Sequence, residues 1–223
     1  MRSFAIAAAL AAAMMPLTSA ADAAQVAHYA VPRGAHPHDV APAPDGGVWY
    51  TAQAQGALGL IDPKTKKTIQ IPLGADAAPH GVIVGPDRAA WVTDGGQNAV
   101  IRVDPVTHAA KLYPLPKQAA DANLNTATFD RKGILWFTGQ NGFYGRVDPA
   151  TGKVDAWKAP KGVGPYGITT TPQGEVWYSS LAGDHIARID TVSGDALMIA
   201  PPKPGVGPRR IWSDSKGLLW VSF

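Results

Sequence analysis

PHGVIVGPDRAAWVTDGGQNAVIRVDPVTHAAKLYP, residues 79–114, holds four short apolar runs separated by turn residues. They predict strand A over Gly81 to Val84, B over Ala89 to Thr93, C over Ala99 to Asp104 and D over Ala110 to Pro114. Apolar and polar residues alternate in Trp91-Val92-Thr93 and Ile101-Arg102-Val103, as pleated strands require. Pro86-Asp87-Arg88 supplies the turn between A and B.

The unit recurs. Trp49, Trp91, Trp136, Trp177 and Trp220 stand 42, 45, 41 and 43 residues apart. A turn precedes each, and Asp62, Asp104, Asp148 and Asp190 follow the first four. Asp148-Pro149-Ala150-Thr151-Gly152 shows their purpose: proline presets φ and glycine takes the positive φ after it. These aspartates read as turn formers, and the tryptophans as packing between units. Self-similarity at this period predicts an all-β fold, a β-propeller of four-stranded antiparallel blades with about 4.5 blades present.

At the ends, Gln25 to Pro32 reads like a strand D, which predicts ring closure by lending that strand to the last blade. Phe223 comes just after strand B of the fifth repeat, so residues 24–223 are expected to be a partial propeller domain from a longer protein. The other reading is a five-bladed ring short of one strand.

Composition agrees. Gly 24 and Pro 20 load the chain with turns, the charged fraction is only 17%, and a 46% apolar fraction supplies a core. The net charge of +3 comes from scattered basic residues, which excludes a nucleic-acid groove. Residues 1–23 read as a signal peptide: Arg2, an apolar run from Phe4 to Leu17, then small residues through Ala23. The run is too short for a spanning helix, so a periplasmic or secreted protein with no membrane contact after cleavage is expected. With no cysteine there is no disulfide or thiolate metal site.

In an antiparallel blade, the residues entering strand A and leaving strand B share one face of the disc. The residues after the proline or leucine that opens strand A are His38, His80, Asn125, Tyr166 and Arg209 in successive repeats. Innermost strands line the channel, so these five are expected to ring one mouth and hold a small-molecule ligand there. Asp94, the one acid just after a strand B, is the candidate metal ligand, with Mg²⁺ as the cation. His28, His108 and His185 fall outside this ring.

Through Pro165-Tyr166-Gly167-Ile168, Trp136-Phe137-Thr138, Tyr144-Gly145-Arg146-Val147-Asp148 and Leu112-Tyr113-Pro114-Leu115-Pro116, the sequence resembles the streptogramin (virginiamycin B) lyase family. The resemblance runs from about Ala27 to the end. It implies a seven-bladed ring, and an Mg²⁺-assisted elimination that linearises an ester-linked cyclic antibiotic, hence antibiotic resistance. It also implies that His80, in a Pro-His-Gly motif, is the general base that removes the proton next to the ester carbonyl, with His38 one blade earlier. His38, Asn125, Tyr166 and Arg209 would position the substrate. The chain departs from the family at Ala78, where an acid is expected, and at Asp94-Gly95, where the acid after strand B is shifted. Two rival readings stand beside this carbon–oxygen lyase: a non-catalytic propeller binding a ligand or protein partner, and a lactonase-type hydrolase.

Overall fold

The computed structural model describes residues 26–223. The expected signal peptide over 1–23 lies outside the described residues. Five antiparallel sheets follow one another, the first four with four strands in sequence order and the fifth with two. Blade one is β1 (Pro37–Pro42), β2 (Val48–Ala52), β3 (Ala57–Ile61) and β4 (Thr68–Pro72). Blade two is β5 (Pro79–Val84), β6 (Ala90–Asp94), β7 (Ala99–Val103) and β8 (Ala110–Pro114). Blade three is β9 (Leu124–Phe129), β10 (Leu135–Gly139), β11 (Phe143–Val147) and β12 (Val154–Lys158). Blade four is β13 (Pro165–Thr170), β14 (Val176–Ser180), β15 (His185–Ile189) and β16 (Ala196–Ile199). β17 (Arg210–Ser213) and β18 (Leu219–Ser222) make the fifth sheet. Each sheet's first strand packs on the next sheet's first strand, β1 on β5 through β13 on β17, so the A strands stand innermost. Among the described residues no helix is long and apolar enough to cross a membrane.

The tryptophans pack between blades. Trp49 and Leu58 share a cluster with Val82, Val92 and Ile101 of the next blade. Trp91 sits with Leu135 and Phe137, and Trp136 with Ile168, Val176 and Tyr178. Trp220, in the two-stranded sheet, is exposed. The repeat aspartates are turn formers, as expected: Asp148 accepts from the Ala150 amide at 2.9 Å and from the Thr151 hydroxyl at 2.7 Å.

Strands B and C compensate each other in size. Tyr50 faces Gly59 and Phe137 faces Gly145, whereas Tyr178 faces Ala187 and Val92 faces Ile101. A Cβ on Gly59 would fall inside the Tyr50 ring. Gly59→Ala is therefore expected to cost about 2 kcal/mol by overpacking. Adding Tyr50→Val, which imitates blade two, should recover part of that loss. Urea midpoints of the two single variants and the double variant would reveal the coupling.

The N-terminal segment corrects one expectation. Val26 to His36 forms no strand, and Gln25 lies outside the described residues. This stretch pairs with none of the described sheets, and Gly34 turns the chain at φ 83° before β1. The segment instead lies against blade one: the Ala30 carbonyl accepts from the Thr68 hydroxyl at 3.0 Å, and Val31 packs beside Tyr50 and Ala52.

Candidate functional site at the channel mouth

The register places the site. Pro37 pairs with Ala52, Pro79 with Asp94, Leu124 with Gly139 and Pro165 with Ser180, so the start of each A strand lies beside the end of its B strand. Just inside each pair the register slips, leaving a bulge at the repeat position that carries His38, His80, Asn125 and Tyr166. Bulges re-aim side chains, and here the same device recurs in four blades.

A hydroxyl clasp holds each bulge. Thr51, Thr93, Thr138 and Ser179 accept from the amides of Asp39, Gly81, Thr126 and Gly167 in their own blades, at 2.9, 3.0, 3.3 and 3.1 Å. The same hydroxyls donate to the carbonyls of His80, Asn125, Tyr166 and Arg209 in the following blades, at 2.9, 2.5, 2.5 and 2.7 Å. One side chain per blade thus ties two mouth segments together. Sequence reading passed over these residues, although each stands two positions after a repeat tryptophan.

The five expected mouth residues fall into two groups. The His38 and His80 rings lie 3.9 Å apart between centroids, tilted by 44°. Asn125 grips His80 at both nitrogens: its carbonyl lies 3.2 Å from Nδ1, and its Nδ2 lies 3.3 Å from Nε2. This pattern assigns the proton to Nδ1, leaving Nε2 to accept from the amide. The Thr126 hydroxyl, donating to Asn125 Oδ1 at 2.7 Å, fixes which way the amide faces. In the second group, Arg209 Nη2 donates to the Tyr166 hydroxyl at 3.0 Å. The guanidinium carbons of Arg209 and Arg210 lie 5.1 and 5.7 Å from the Tyr166 ring centre. Arg210 was not anticipated from the sequence.

Exposure assigns the parts. Asn125 is fully buried and Tyr166 nearly so, which makes them supports, whereas His38 and Arg209 face solvent and His80 is half-buried. Asn125 and Tyr166 thus meet little solvent and bear on His80 and Arg209 instead.

Burial, first, and then the charges of His38, Arg210 and Arg209 push the His80 pKa down to about 4, against the opposing hydrogen bond to the Asn125 carbonyl. A histidine depressed in this way is neutral when folded, so its contribution to stability is full above the unfolded value of about 6.5. That contribution is lost as pH falls from there toward about 4. We expect His80 to titrate near 4 by NMR. Between pH 7 and pH 4.5 the parent should lose about 1–2 kcal/mol more stability than His80→Gln, after allowance for the ring's partial exposure.

Asp94 is a structural acceptor. It is fully buried, and its Oδ1 takes the amides of Gln97 at 2.8 Å and Ala78 at 3.1 Å. Burial pushes its carboxyl above the usual range. Its Oδ2 is buried without a partner, but one oxygen is far short of the set a hard divalent cation needs. Among the described residues no group of three or more His, Cys, Asp or Glu could hold a metal ion. The residues present therefore do not fit Mg²⁺. His185, expected to be unrelated to the mouth, is buried with its nitrogens near the Tyr178 hydroxyl and the Gly183 carbonyl.

Known proteins share this architecture. Virginiamycin B lyase from Staphylococcus aureus superposes with a TM-score of 0.78 at 26% identity, covering 86% of this chain and 64% of the other. A catalytically inactive histidine-to-alanine form of the same S. aureus enzyme, with quinupristin, gives 0.77 at 29% identity, covering 87% and 66%. A streptogramin B lyase shares the fold at 21% identity, with a TM-score of 0.53 over 85% of this chain and 76% of the other. The chain thus spans less than two thirds of the length of the first two. No curated protein matches it in sequence. The pattern of the virginiamycin B lyase family matches residues 66–223, which takes in the mouth residues from His80 through Arg209, and the chain belongs to that family.

Proposed function

We propose that the channel mouth binds a small cyclic molecule carrying an ester and that His80, backed by His38, opens it by elimination, as a carbon–oxygen lyase of the streptogramin-lyase kind. The base takes its proton from the carbon next to the one bearing the ester oxygen, not from the carbon next to the ester carbonyl. Removing the latter proton could not break the alkyl carbon–oxygen bond. The carbon–oxygen bond breaks, a carbon–carbon double bond forms, and a carboxylate leaves with no water consumed. The observation that supports this most is the pair of imidazoles 3.9 Å apart, presented by consecutive bulges. Arg209 and Arg210, near enough for their charges to act on His80, would stabilise a departing carboxylate. No step is routed through a cation. The S. aureus relative whose histidine-to-alanine form is inactive agrees with a histidine at the centre of the chemistry. With the expected signal peptide, the protein would act in the periplasm or outside the cell.

One observation favours a second reading, a non-catalytic binding propeller. Asn125 occupies the lone pair of His80 Nε2, and the low pKa makes the ring a weak base. Incubation with quinupristin and mass spectrometry separate the readings. Ring opening at unchanged mass is expected, slowed about 10²- to 10⁴-fold in His80→Ala. A product heavier by one water would mean a lactonase-type hydrolase. Saturable binding without conversion would mean a binding module.

A further inference from the structure

In blades two to four an arginine on strand C stands opposite the tryptophan of strand B: Trp91 and Arg102, Trp136 and Arg146, Trp177 and Arg188. Each arginine reaches an acid, Asp87 at 2.7 Å, Asp155 at 3.0 Å and Glu175 at 2.9 Å. In blades two and four that acid also accepts the indole N–H, at 3.1 Å in both. In blade three the indole N–H goes to Asp130 at 3.0 Å instead.

Blade one breaks this pattern. Leu60 replaces the arginine opposite Trp49. Asp45, the counterpart of Asp87, accepts from the Gly47 amide at 3.0 Å but makes no bond to the indole. The Trp49 Nε1–H is left buried, with no partner among the described residues. Beside it lies a cavity of about 400 Å³, walled by Trp49, Leu60 and the Pro44–Asp45 turn, and by Arg88 and Val106 of blade two. It opens among the A–B and C–D turns, at the opposite end of the blades from His38 and His80.

The geometry points to a second binding site here, for a small neutral molecule with an apolar body and one carbonyl or ether oxygen. The oxygen would accept from Trp49 Nε1–H, which the Pro44–Asp45 turn must uncover as the molecule enters, since the donor is otherwise fully buried; left unpaired there it is costly. Leu60, Val106, Pro44 and the indole face supply the apolar wall, and the volume lies in the range of small-molecule sites. A cation cannot accept from the indole N–H. An anion would meet the Asp45 and Asp87 carboxylates, which outnumber Arg88 at the rim.

Acetophenone and ethylbenzene, alike in shape but differing in the acceptor, test the site by ¹⁵N NMR of the indole groups. The chain has seven tryptophans, and loss of one signal in Trp49→Phe identifies the relevant peak. Acetophenone should shift that peak saturably, and ethylbenzene should bind about tenfold more weakly. Leu60→Arg, restoring the repeat residue, should abolish binding and hand the indole proton to Asp45. Leu60→Phe, filling the cavity without charge, gives the same readout if the arginine variant fails to fold. Equal binding of the two probes, an unmoved Trp49 signal, or full binding by Leu60→Phe would each overturn the site. Activity toward an ester at the mouth has no bearing on the result.

Discussion

Replacing Trp136 by alanine is expected to lower stability by about 3–5 kcal/mol, the most damaging single truncation in the chain. Its ring is fully buried between blades three and four, against Ile168, Val176 and Tyr178. It also anchors polar groups: Nε1 donates to Asp130 Oδ2 at 3.0 Å, and the Arg146 guanidinium lies 5.5 Å from the ring centre. Trp157 stacks nearby, with ring centres 6.1 Å apart, and the same guanidinium lies 5.3 Å from its ring centre. The blade meets only its neighbours, so the cavity cannot be relieved by collapse elsewhere. Trp220→Ala is the internal comparison. That residue sits at the same repeat position but is 62% exposed, and its loss should cost under about 1 kcal/mol. Denaturant midpoints of the two variants decide the matter. Equal losses would show that packing between blades is not what the repeat tryptophan contributes.

The same periodicity explains how much was readable from the sequence. Trp91, its preceding turn and Asp104 recur because every blade solves one packing problem, and strand D over Ala110–Pro114 was placed to the residue. The mouth was legible for the same reason: His38 and His80 occupy one repeat position, and repeat position becomes spatial adjacency in a ring. What the sequence hid depends on contacts between blades. Nothing in the sequence around Asn125 shows that its side chain is fully buried and spent on the imidazole of the preceding blade. Asp94 looked like a metal ligand because an isolated acid does not reveal that the amides of Ala78 and Gln97 already claim one of its oxygens. The segment before β1 had the composition of a strand, but composition cannot supply a partner edge. The hydroxyls of Thr51, Thr93, Thr138 and Ser179 were plain in the sequence as a period. Their work across blades was visible only with the register known.

Thr93→Val should cost about 2–4 kcal/mol, although valine fills the same space. Thr93 is buried, so what the change removes is hydrogen bonding: the Gly81 amide loses its acceptor and the Asn125 carbonyl loses its 2.5 Å donor. A buried backbone group left unpaired costs about 1–3 kcal/mol, and two are affected here. Thr93→Ser keeps the hydroxyl and should stay within about 1 kcal/mol of the parent. The site should respond with the stability. The low pKa of His80 comes first from burial, and the burial depends on blade three being held close by this clasp. Once the clasp is cut, water reaches the ring, and its titration should move up from about 4 toward the ordinary histidine value of about 6.5. A valine variant as stable as the serine one would remove the clasp from the account of the fold. A large loss of stability with His80 still titrating near 4 would mean that the clasp joins the blades while Asn125 alone governs the imidazole.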